Sequence, residues 1–232
     1  MPIDKAAGRI RSMFGRIAPR YDLMNRLISA GLDQRWRRQA ARLLSCRRSE
    51  RVLDLCSGTG DLALTLARES AGAKVVAADF TFEMLVLGQR KLRAAALPVP
   101  QLDADGLALP FAAGTFQAVT AAFGVRNFED RAAGFREVCR VLAPGGRFLI
   151  LELTPDPDGP FAPLIRLHTR FVLPFLGRVV AGDPHAYRYL PDSMRAWPAP
   201  AALSGELRDA GFAEVAVHRL TFGTAAFHVA VK

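Results

Sequence analysis

The chain has 232 residues, of which 50% are hydrophobic and 23% are charged, a composition typical of a folded globular domain rather than a disordered chain. Its apolar runs are broken well before about 18 residues and its N-terminus lacks an apolar segment, so the sequence predicts neither a transmembrane helix nor a secretory signal. Cys46, Cys56 and Cys139 are scattered and odd in number, so they indicate neither a disulfide framework nor a zinc site. A reducing cytoplasm is the simplest compartment for such a chain.

The net charge of +9 lies entirely in the N-terminal segment. Residues 1–51 contain 13 Lys and Arg against 4 Asp and Glu, whereas the rest of the chain carries 18 of each kind. Such a segment can bind nucleic acid or an anionic membrane surface, or it can be a solvated helical face. Few aromatic residues are interleaved with the basic ones, so nucleic acid is the disfavoured partner.

Strands and helices alternate after this basic segment. The apolar patterns predict strands at 51–55, 74–79, 99–103, 116–122, 147–153, 214–220 and 225–231, and helices at 60–69, 82–96, 131–142 and 201–210. The alternation predicts parallel βαβ units, and the short turn between the last two strands predicts a hairpin. We therefore predict an α/β fold: a Rossmann-like, doubly wound, mostly parallel seven-stranded sheet with an antiparallel hairpin at its C-terminal edge.

Helical additions flank this sheet in the predicted single domain of residues 1–232. We divide it into a basic helical N-terminal segment (1–50), a cofactor-binding core (51–155), a helical insertion (156–200) and a C-terminal helix with two strands (201–232). From Phe161 to Val180 the insertion carries an apolar face at helical spacing, which Pro174 must kink or break. This face either packs on the core or forms a lid over an apolar ligand, and we favour the lid.

A glycine turn connects the first predicted strand to a helix, in the stretch VLDLCSGTGD (52–61). Gly58 and Gly60 let the backbone bend sharply and approach a ligand closely, and the helix that follows offers free N–H groups. Asp79, at the end of the next strand, can accept hydrogen bonds from both hydroxyls of a ribose. The pattern therefore indicates a ligand that contains a ribose.

This pattern differs from the one that binds dinucleotides. A third glycine is missing, and the carboxylate of Asp54 suits a cationic amino-acid ligand better than a pyrophosphate. The third predicted strand leads to Asp105 and Gly106, where a side chain can receive the amino group of an adenine. The order of strand, glycine loop, ribose acid and adenine acid, with the turn RVLAPGGR (140–147) before the fifth strand, resembles the class I S-adenosylmethionine-dependent methyltransferases.

The resemblance implies S-adenosylmethionine as the cofactor and a reaction without a metal. The residues that it places at the cofactor are Asp54, Gly58, Thr59, Gly60, Asp79, Asp105, Gly106 and Ala122. Two positions depart from the common pattern: Ala122 stands where some members have serine, and Gln117 stands where methyltransferases often have aspartate. We therefore expect no catalytic role for Gln117.

Further stretches narrow the resemblance over nearly the whole chain. They are MFGRIAPRYDLMN (13–25), FGVRN (123–127) and YRYLPDS (187–193), with shorter matches at 29–31, 36–37 and 197–198. They resemble the family that C-methylates demethylmenaquinol and the related benzoquinol precursor of ubiquinone. The resemblance implies a prenylated quinol as substrate. Demethylmenaquinol is our first choice, and the ubiquinone precursor or another apolar small molecule, such as a sterol, is the alternative.

Methylation of a quinol ring carbon requires a phenolate, because the neutral ring is a weak nucleophile and a phenol has a pKa of about 10. Arg126 stays protonated, so as a fixed cation beside the hydroxyl it would lower that pKa and stabilise the developing charge, while water takes the proton. The resemblance also points to Arg126 and Asn127 near the quinol. Alternatively, Arg126 pairs with Glu129 or Asp130, and Asn127 caps the next helix.

Three further side chains have two interpretations each. Tyr21, which we include among the catalytic candidates, and Tyr189 could donate hydrogen bonds to the ring oxygens, or they could be core aromatics with a satisfied hydroxyl. His168, where a tyrosine is common, has a pKa suited to a base, although a lone histidine on an apolar helical face is more often a packing residue.

The expected setting follows from the substrate. A prenyl tail is buried in a bilayer, so we expect a cytoplasmic enzyme in peripheral contact with an anionic membrane, through the N-terminal charge and the apolar face of the insertion. The sequence leaves the oligomeric state open, a homodimer included.

Overall fold

The computed structural model describes residues 6–70, 72–154, 163, 189 and 192–232. The predicted lid, with Pro174 and His168, therefore lies almost wholly outside the described residues. Among the helices that are described, none combines the length and the apolarity that crossing a bilayer requires.

Seven strands form one sheet, as predicted. In chain order they are β1 (Arg51–Leu55), β2 (Lys74–Asp79), β3 (Gln101–Asp103), β4 (Phe116–Ala122), β5 (Leu142–Leu153), β6 (Glu214–Leu220) and β7 (Ala225–Val231). Their order across the sheet is β3-β2-β1-β4-β5-β7-β6. Strands β1 to β5 are mutually parallel, and β7 runs antiparallel to both β5 and β6. The predicted C-terminal hairpin is thus confirmed, with β6 as its outer strand.

Helices cover both faces of this sheet. They are α1 (Ala7–Ile28), α2 (Leu32–Leu44), α3 (Asp61–Glu69), α4 (Phe82–Ala94), α5 (Arg131–Val141) and α6 (Pro200–Asp209), with a short 3₁₀ turn at Val125–Asn127. One core cluster contains Phe135 of α5 and Leu207 of α6, and the other contains Trp36 of α2 and Leu66 of α3. Two layers of helix around a mostly parallel sheet are the doubly wound arrangement that the alternating pattern predicts.

Strand β5 begins at Leu142, earlier than the predicted start at Arg147. Leu142 already pairs with Phe116 of β4, and the register then shifts before Arg147 pairs with Ala118. Gly145, with φ of +71°, lies in the irregular stretch between these pairs. A bulge of this kind escapes a prediction based on alternating side chains, because it breaks the period of two.

Helix α1 packs outside the two main clusters. Its buried residues Ile10, Met13, Ile17 and Ala18 form a separate small cluster with Met84 of α4. These four positions share one side of a helix, so the opposite side faces solvent. The N-terminal segment therefore lies across the body of the domain on a contact area of its own.

Candidate cofactor and substrate site

The site begins at the carboxyl end of β1, where the chain turns into α3. Gly58 and Gly60 have φ of +55° and +80°, a region that favours glycine, and Cys56 adopts φ of +54° as well. The Gly60 N–H donates to the Ser57 carbonyl at 2.9 Å, and a Cβ at Gly60 would lie 3.7 Å from Gly88 of α4. Gly60 thus shapes the turn and its packing, and its contact with a cofactor stays a prediction.

Asp79 ties the glycine loop to the end of β2. Its Oδ2 accepts a hydrogen bond from the Gly58 N–H at 2.8 Å, and its Oδ1 accepts one from the Thr81 N–H at 2.8 Å. The carboxyl group is buried, and this desolvation raises the pKa of Asp79. Each oxygen keeps a second lone pair, so Asp79 can hold the loop and still accept ribose hydroxyls.

The larger of two adjoining pockets lies beside Asp79. Its polar lining includes Asp79, Asp105 and Asn127, and its apolar walls include Phe14 and Phe128. Gly106 also lines it, where a Cβ would come within 2.8 Å of the Phe128 ring. The ribose and adenine candidates of the sequence therefore lie in one pocket.

Gly124 brings the FGVRN stretch against the glycine loop. A Cβ at Gly124 would lie 2.2 Å from the Cβ of Cys56, which is closer than two carbon atoms can approach. Glycine is therefore required at this position, and the end of β4 packs directly on the end of β1.

The smaller pocket adjoins the larger one and shares Tyr21, Cys56 and Gly58 with it. A Cβ at Gly58 would lie 3.6 Å from the Tyr21 ring, so Tyr21 lies over the glycine loop. Burial raises the pKa of Tyr21. Other residues that line the smaller pocket are Arg37, Asp54, Ser57, Thr59, Asp61, Leu62 and Ala122.

Asp54 is a buried carboxylate with one unused oxygen. Its Oδ1 accepts a hydrogen bond from the Thr120 hydroxyl at 2.8 Å, whereas its buried Oδ2 has no partner among the described residues. Burial raises the pKa of Asp54 to about 7, opposed by the Thr120 hydrogen bond and the charge of Arg37. A cation entering this pocket would satisfy the unpaired oxygen, as the sequence predicts for a cationic amino-acid ligand.

A network that sequence reasoning missed joins α1 to the glycine loop. The Lys91 ammonium lies 2.7 Å from the Asp22 carboxylate and also pairs with Asp61. The Thr59 hydroxyl donates to Asp22 and accepts from Lys91 at 3.1 Å. The hydroxyl of Thr59 is therefore engaged within the protein, and a cofactor contact of Thr59 stays a prediction.

Arg126 is paired with Glu152 of β5, rather than with Glu129 or Asp130. Its Nη1 donates to the Glu152 carboxylate at 2.9 Å, and both side chains are buried. Burial raises the pKa of Glu152, and the adjacent guanidinium opposes that rise. A glutamate inside the apolar stretch FLILEL (148–153) marks this partner in the sequence, although nothing local connects it with Arg126.

Asn127 does not cap α5. That role belongs to Asp130, whose carboxylate accepts a hydrogen bond from the Ala133 N–H at 2.9 Å. Asn127 instead accepts a hydrogen bond from the Tyr189 hydroxyl at 2.8 Å, and burial raises the pKa of Tyr189 to about 12. Tyr189 is thus a neutral donor joined to the wall of the larger pocket.

Gln117 lies at the opposite end of the sheet. Its side-chain oxygen accepts a hydrogen bond from the Arg51 N–H at 2.9 Å, where β1 begins. This position is remote from the carboxyl ends of the strands, where ligands bind in open α/β sheets.

Comparison with known proteins identifies the family. The profile of the ubiE/COQ5 methyltransferase family matches residues 3–232. The chain belongs to that family. A demethylmenaquinone methyltransferase of Thermus thermophilus is 53% identical to it over 217 residues, covering 94% of this chain and 98% of the relative. The "Ubiquinone/menaquinone biosynthesis C-methyltransferase UbiE" of Syntrophotalea carbinolica is 44% identical, covering 92% of this chain and 90% of the relative.

Solved structures agree on the fold of this ubiE/COQ5 family member. A putative S-adenosylmethionine-dependent methyltransferase of Methanococcus maripaludis superposes with a TM-score of 0.68 at 17% identity, covering 100% of this chain and 97% of that one. The protein is an S-adenosylmethionine-dependent methyltransferase. Its two adjoining pockets fit that cofactor, because the buried carboxylates of Asp79 and Asp54 lie one beside each pocket.

Proposed function

We propose that this methyltransferase converts demethylmenaquinol to menaquinol by methylating a ring carbon. The observation that best supports this substrate is the 53% identity to a protein named demethylmenaquinone methyltransferase, which extends over 94% of this chain. The mostly apolar walls of the larger pocket, among them Phe14, Phe80 and Phe128, suit a quinol ring better than a polar substrate.

The cofactor residues are assigned by the pockets that they line. Asp79 would accept the ribose hydroxyls, Asp105 and Gly106 would border the adenine, and Asp54 would face the cationic end. When bound, S-adenosylmethionine supplies an electrophilic methyl group on a sulfonium. The chain's own task is to align the ring carbon with that methyl group and to keep the quinol oxygen anionic.

Arg126 is proposed to hold the positive charge that this oxygen needs. Buried beside Glu152 at 2.9 Å, its guanidinium is fixed in orientation, and its Nε has no hydrogen-bond partner among the described residues. A preorganised cation stabilises a phenolate more strongly in a buried site than in water. Asn127, Tyr189 and Tyr21 would orient the ring oxygens, and water would accept the proton.

One assay separates the candidate substrates. The protein is incubated with isotopically labelled S-adenosylmethionine and either reduced demethylmenaquinol or the reduced benzoquinol precursor of ubiquinone, and the products are identified by mass spectrometry. We expect labelled menaquinol as the preferred product. Label only in the benzoquinol would transfer the proposal to the ubiquinone precursor, which the name of the 44% identical relative also covers. Label in neither product would refute a quinol substrate.

We also propose that α1 contacts an anionic membrane surface. Leu23 and Leu27 are 52% and 38% exposed and lie one helical turn apart on α1. They continue the stripe begun by the exposed Arg16 and Arg20, at helical spacings of three and four residues. A stripe that is basic and apolar suits the boundary between lipid headgroups and acyl chains, where the prenyl tail of the substrate enters the bilayer.

A further inference from the structure

The smaller pocket contains two buried polar atoms of opposite charge that lack hydrogen-bond partners among the described residues. They are Oδ2 of Asp54 and Nε of Arg37. The two residues are 1% and 4% exposed, and both line the pocket. Buried polar atoms without a hydrogen bond are costly in a folded protein, so a carboxylate oxygen and a guanidinium nitrogen that both lack one in the same pocket indicate a ligand that carries both charges.

The side chain of Arg37 is held in place by its neighbours, although its Nε lacks a hydrogen-bond acceptor. Its guanidinium carbon lies 5.3 Å from the centre of the Phe123 ring, and its Nε lies 3.8 Å from Oδ2 of Asp33, too far for a hydrogen bond. Asp33 is itself engaged, since it accepts hydrogen bonds from the Ser29 hydroxyl at 2.9 Å and from Gln34 at 3.1 Å. The guanidinium is therefore oriented by stacking and by charge, while its Nε donates no hydrogen bond to any described residue.

A guanidinium held in this way matches a carboxylate, to which it can donate two parallel hydrogen bonds. The pocket also adjoins the glycine loop through Gly58 and Tyr21, which border the larger pocket as well. A ligand that extends from the larger pocket into the smaller one would place a zwitterionic end between Asp54 and Arg37. A purely cationic end would satisfy Asp54 alone and would leave the Nε of Arg37 without a hydrogen bond.

We propose that Arg37 of α2 binds the α-carboxylate of the methionine part of S-adenosylmethionine, opposite Asp54 at the α-ammonium group. This inference rests on S-adenosylmethionine as the cofactor and is independent of which quinol is methylated. Helix α2 thereby contributes directly to the cofactor site, a role that the basic N-terminal segment does not suggest from its charge alone.

The test measures binding rather than turnover. Titration calorimetry compares three ligands that share the adenosine thioether: S-adenosylhomocysteine, its decarboxylated analogue and 5′-methylthioadenosine, which lacks the amino-acid end. For the Arg37→Met protein we expect roughly 10- to 100-fold weaker binding of S-adenosylhomocysteine and unchanged binding of methylthioadenosine, because only the first ligand carries the carboxylate. Arg37→Lys should recover part of the loss, and Arg38→Met, an exposed neighbour on α2, should change neither affinity.

The decarboxylated ligand keeps the proposal falsifiable even if Arg37→Met does not fold. The unmodified protein should bind that ligand roughly 10- to 100-fold more weakly than S-adenosylhomocysteine, and Arg37→Met should show no such preference. Equal affinity of the unmodified protein for both ligands would overturn the proposal, as would equal weakening of S-adenosylhomocysteine and methylthioadenosine in Arg37→Met. Either result leaves the quinol assay unaffected, so the two proposals fail separately.

Discussion

Asp54 and Asp79 are buried carboxylates on adjacent strands, yet their surroundings prepare them for different tasks. Asp79 accepts two backbone N–H groups, which anchor the glycine loop. Asp54 accepts the Thr120 hydroxyl on Oδ1, its Oδ2 has no hydrogen-bond partner among the described residues, and burial raises its pKa to about 7. Asp79 therefore anchors the glycine loop through both carboxylate oxygens, whereas Asp54 keeps one oxygen free for the proposed contact with the cofactor.

The raised pKa of Asp54 predicts a gain in stability on neutralisation. The folded pKa of about 7 exceeds the ordinary value of 3.8, so ionised Asp54 opposes folding. This cost is absent below about pH 4, grows up to about pH 7 and is constant above it. Asp54→Asn should therefore raise the free energy of unfolding by about 1–3 kcal/mol at pH 8 and by less at pH 5, as measured by urea denaturation. A gain that is larger at pH 5 would contradict this environment, and the exposed Asp103→Asn serves as control.

Asp79→Ala should weaken S-adenosylhomocysteine binding by about 1–3 kcal/mol, the usual cost of deleting a charged hydrogen-bonding group. The variant also leaves the N–H groups of Gly58 and Thr81 without their acceptor, so the glycine loop loses its anchor. Calorimetric titration measures the change, with Asp103→Ala on the neighbouring strand as a matched control. Unchanged affinity would remove Asp79 from the cofactor site.

Arg126→Ala should lower turnover by roughly 100-fold or more while cofactor affinity stays close to normal, as for loss of one preorganised charge. The variant also leaves the buried carboxylate of Glu152 without its ion-pair partner, so we expect a lower free energy of unfolding. The double variant Arg126→Met with Glu152→Gln removes both charges and should recover stability without turnover. Steady-state kinetics with saturating quinol and thermal unfolding together distinguish the roles.

Arg131→Ala offers a control for that experiment, because it breaks a second arginine–glutamate ion pair, the partly exposed one between Arg131 and Glu206 at 2.8 Å. Full turnover in Arg126→Ala, or recovered turnover in the double variant, would make Arg126 a purely structural residue.

At the scale of elements, the sequence predicts strands better than it predicts contacts. The bounds of β1, β2, β4, β6 and β7 agree with the predicted ones, because β1, β2, β4 and β7 are short, mainly apolar runs and β6 is joined to β7 by a short turn. The start of β5 and the Arg126–Glu152 and Lys91–Asp22 pairs were not predictable, since each depends on which distant segments the sheet brings together. Ion pairs and pockets depend on which distant segments the topology brings together. The apolar periodicity that predicts a strand can be read from a few consecutive residues.

The proposed membrane contact of α1 predicts salt-sensitive binding to vesicles. Three exposed arginines of α1 are Arg16 and Arg20 of the stripe and Arg26 in the last turn. Replacing all three by glutamine should weaken binding to anionic vesicles by about 3 kcal/mol, since each basic residue near such a surface contributes about 1 kcal/mol. Co-sedimentation with anionic and neutral lipid at low and high salt measures this, because screening shortens the reach of exposed charges.

The matched control for this experiment replaces Arg136, Arg195 and Arg208, exposed arginines that lie outside α1. Equal weakening by both triple variants would assign the effect to net charge rather than to α1. If vesicle binding does not change with salt, the apolar side chains of Leu23 and Leu27 rather than the arginines provide the contact. No binding to anionic vesicles at low salt would contradict the proposal.

At the scale of the whole molecule, the sheet and its two main clusters form a body to which α1 is attached by a cluster of its own. Phe14 and Tyr21 of α1 nevertheless line the larger pocket, and Asp22 pairs with Lys91 of α4. A helix that contributes no residue to the two main clusters thus helps to line the proposed cofactor pocket.

Such an arrangement permits local opening without global unfolding, so amide hydrogen exchange should be uneven along the chain. We expect the amides of α1 to exchange faster than those of β1, β4 and β5 in the free protein. Bound S-adenosylhomocysteine should slow exchange in α1 selectively, because the ligand would contact the closed arrangement only. Exchange as slow in α1 as in the central strands, with or without ligand, would mean that the helix is an integral part of the cooperative core. If the expectation holds, release of the demethylated cofactor is coupled to the detachment of a single helix.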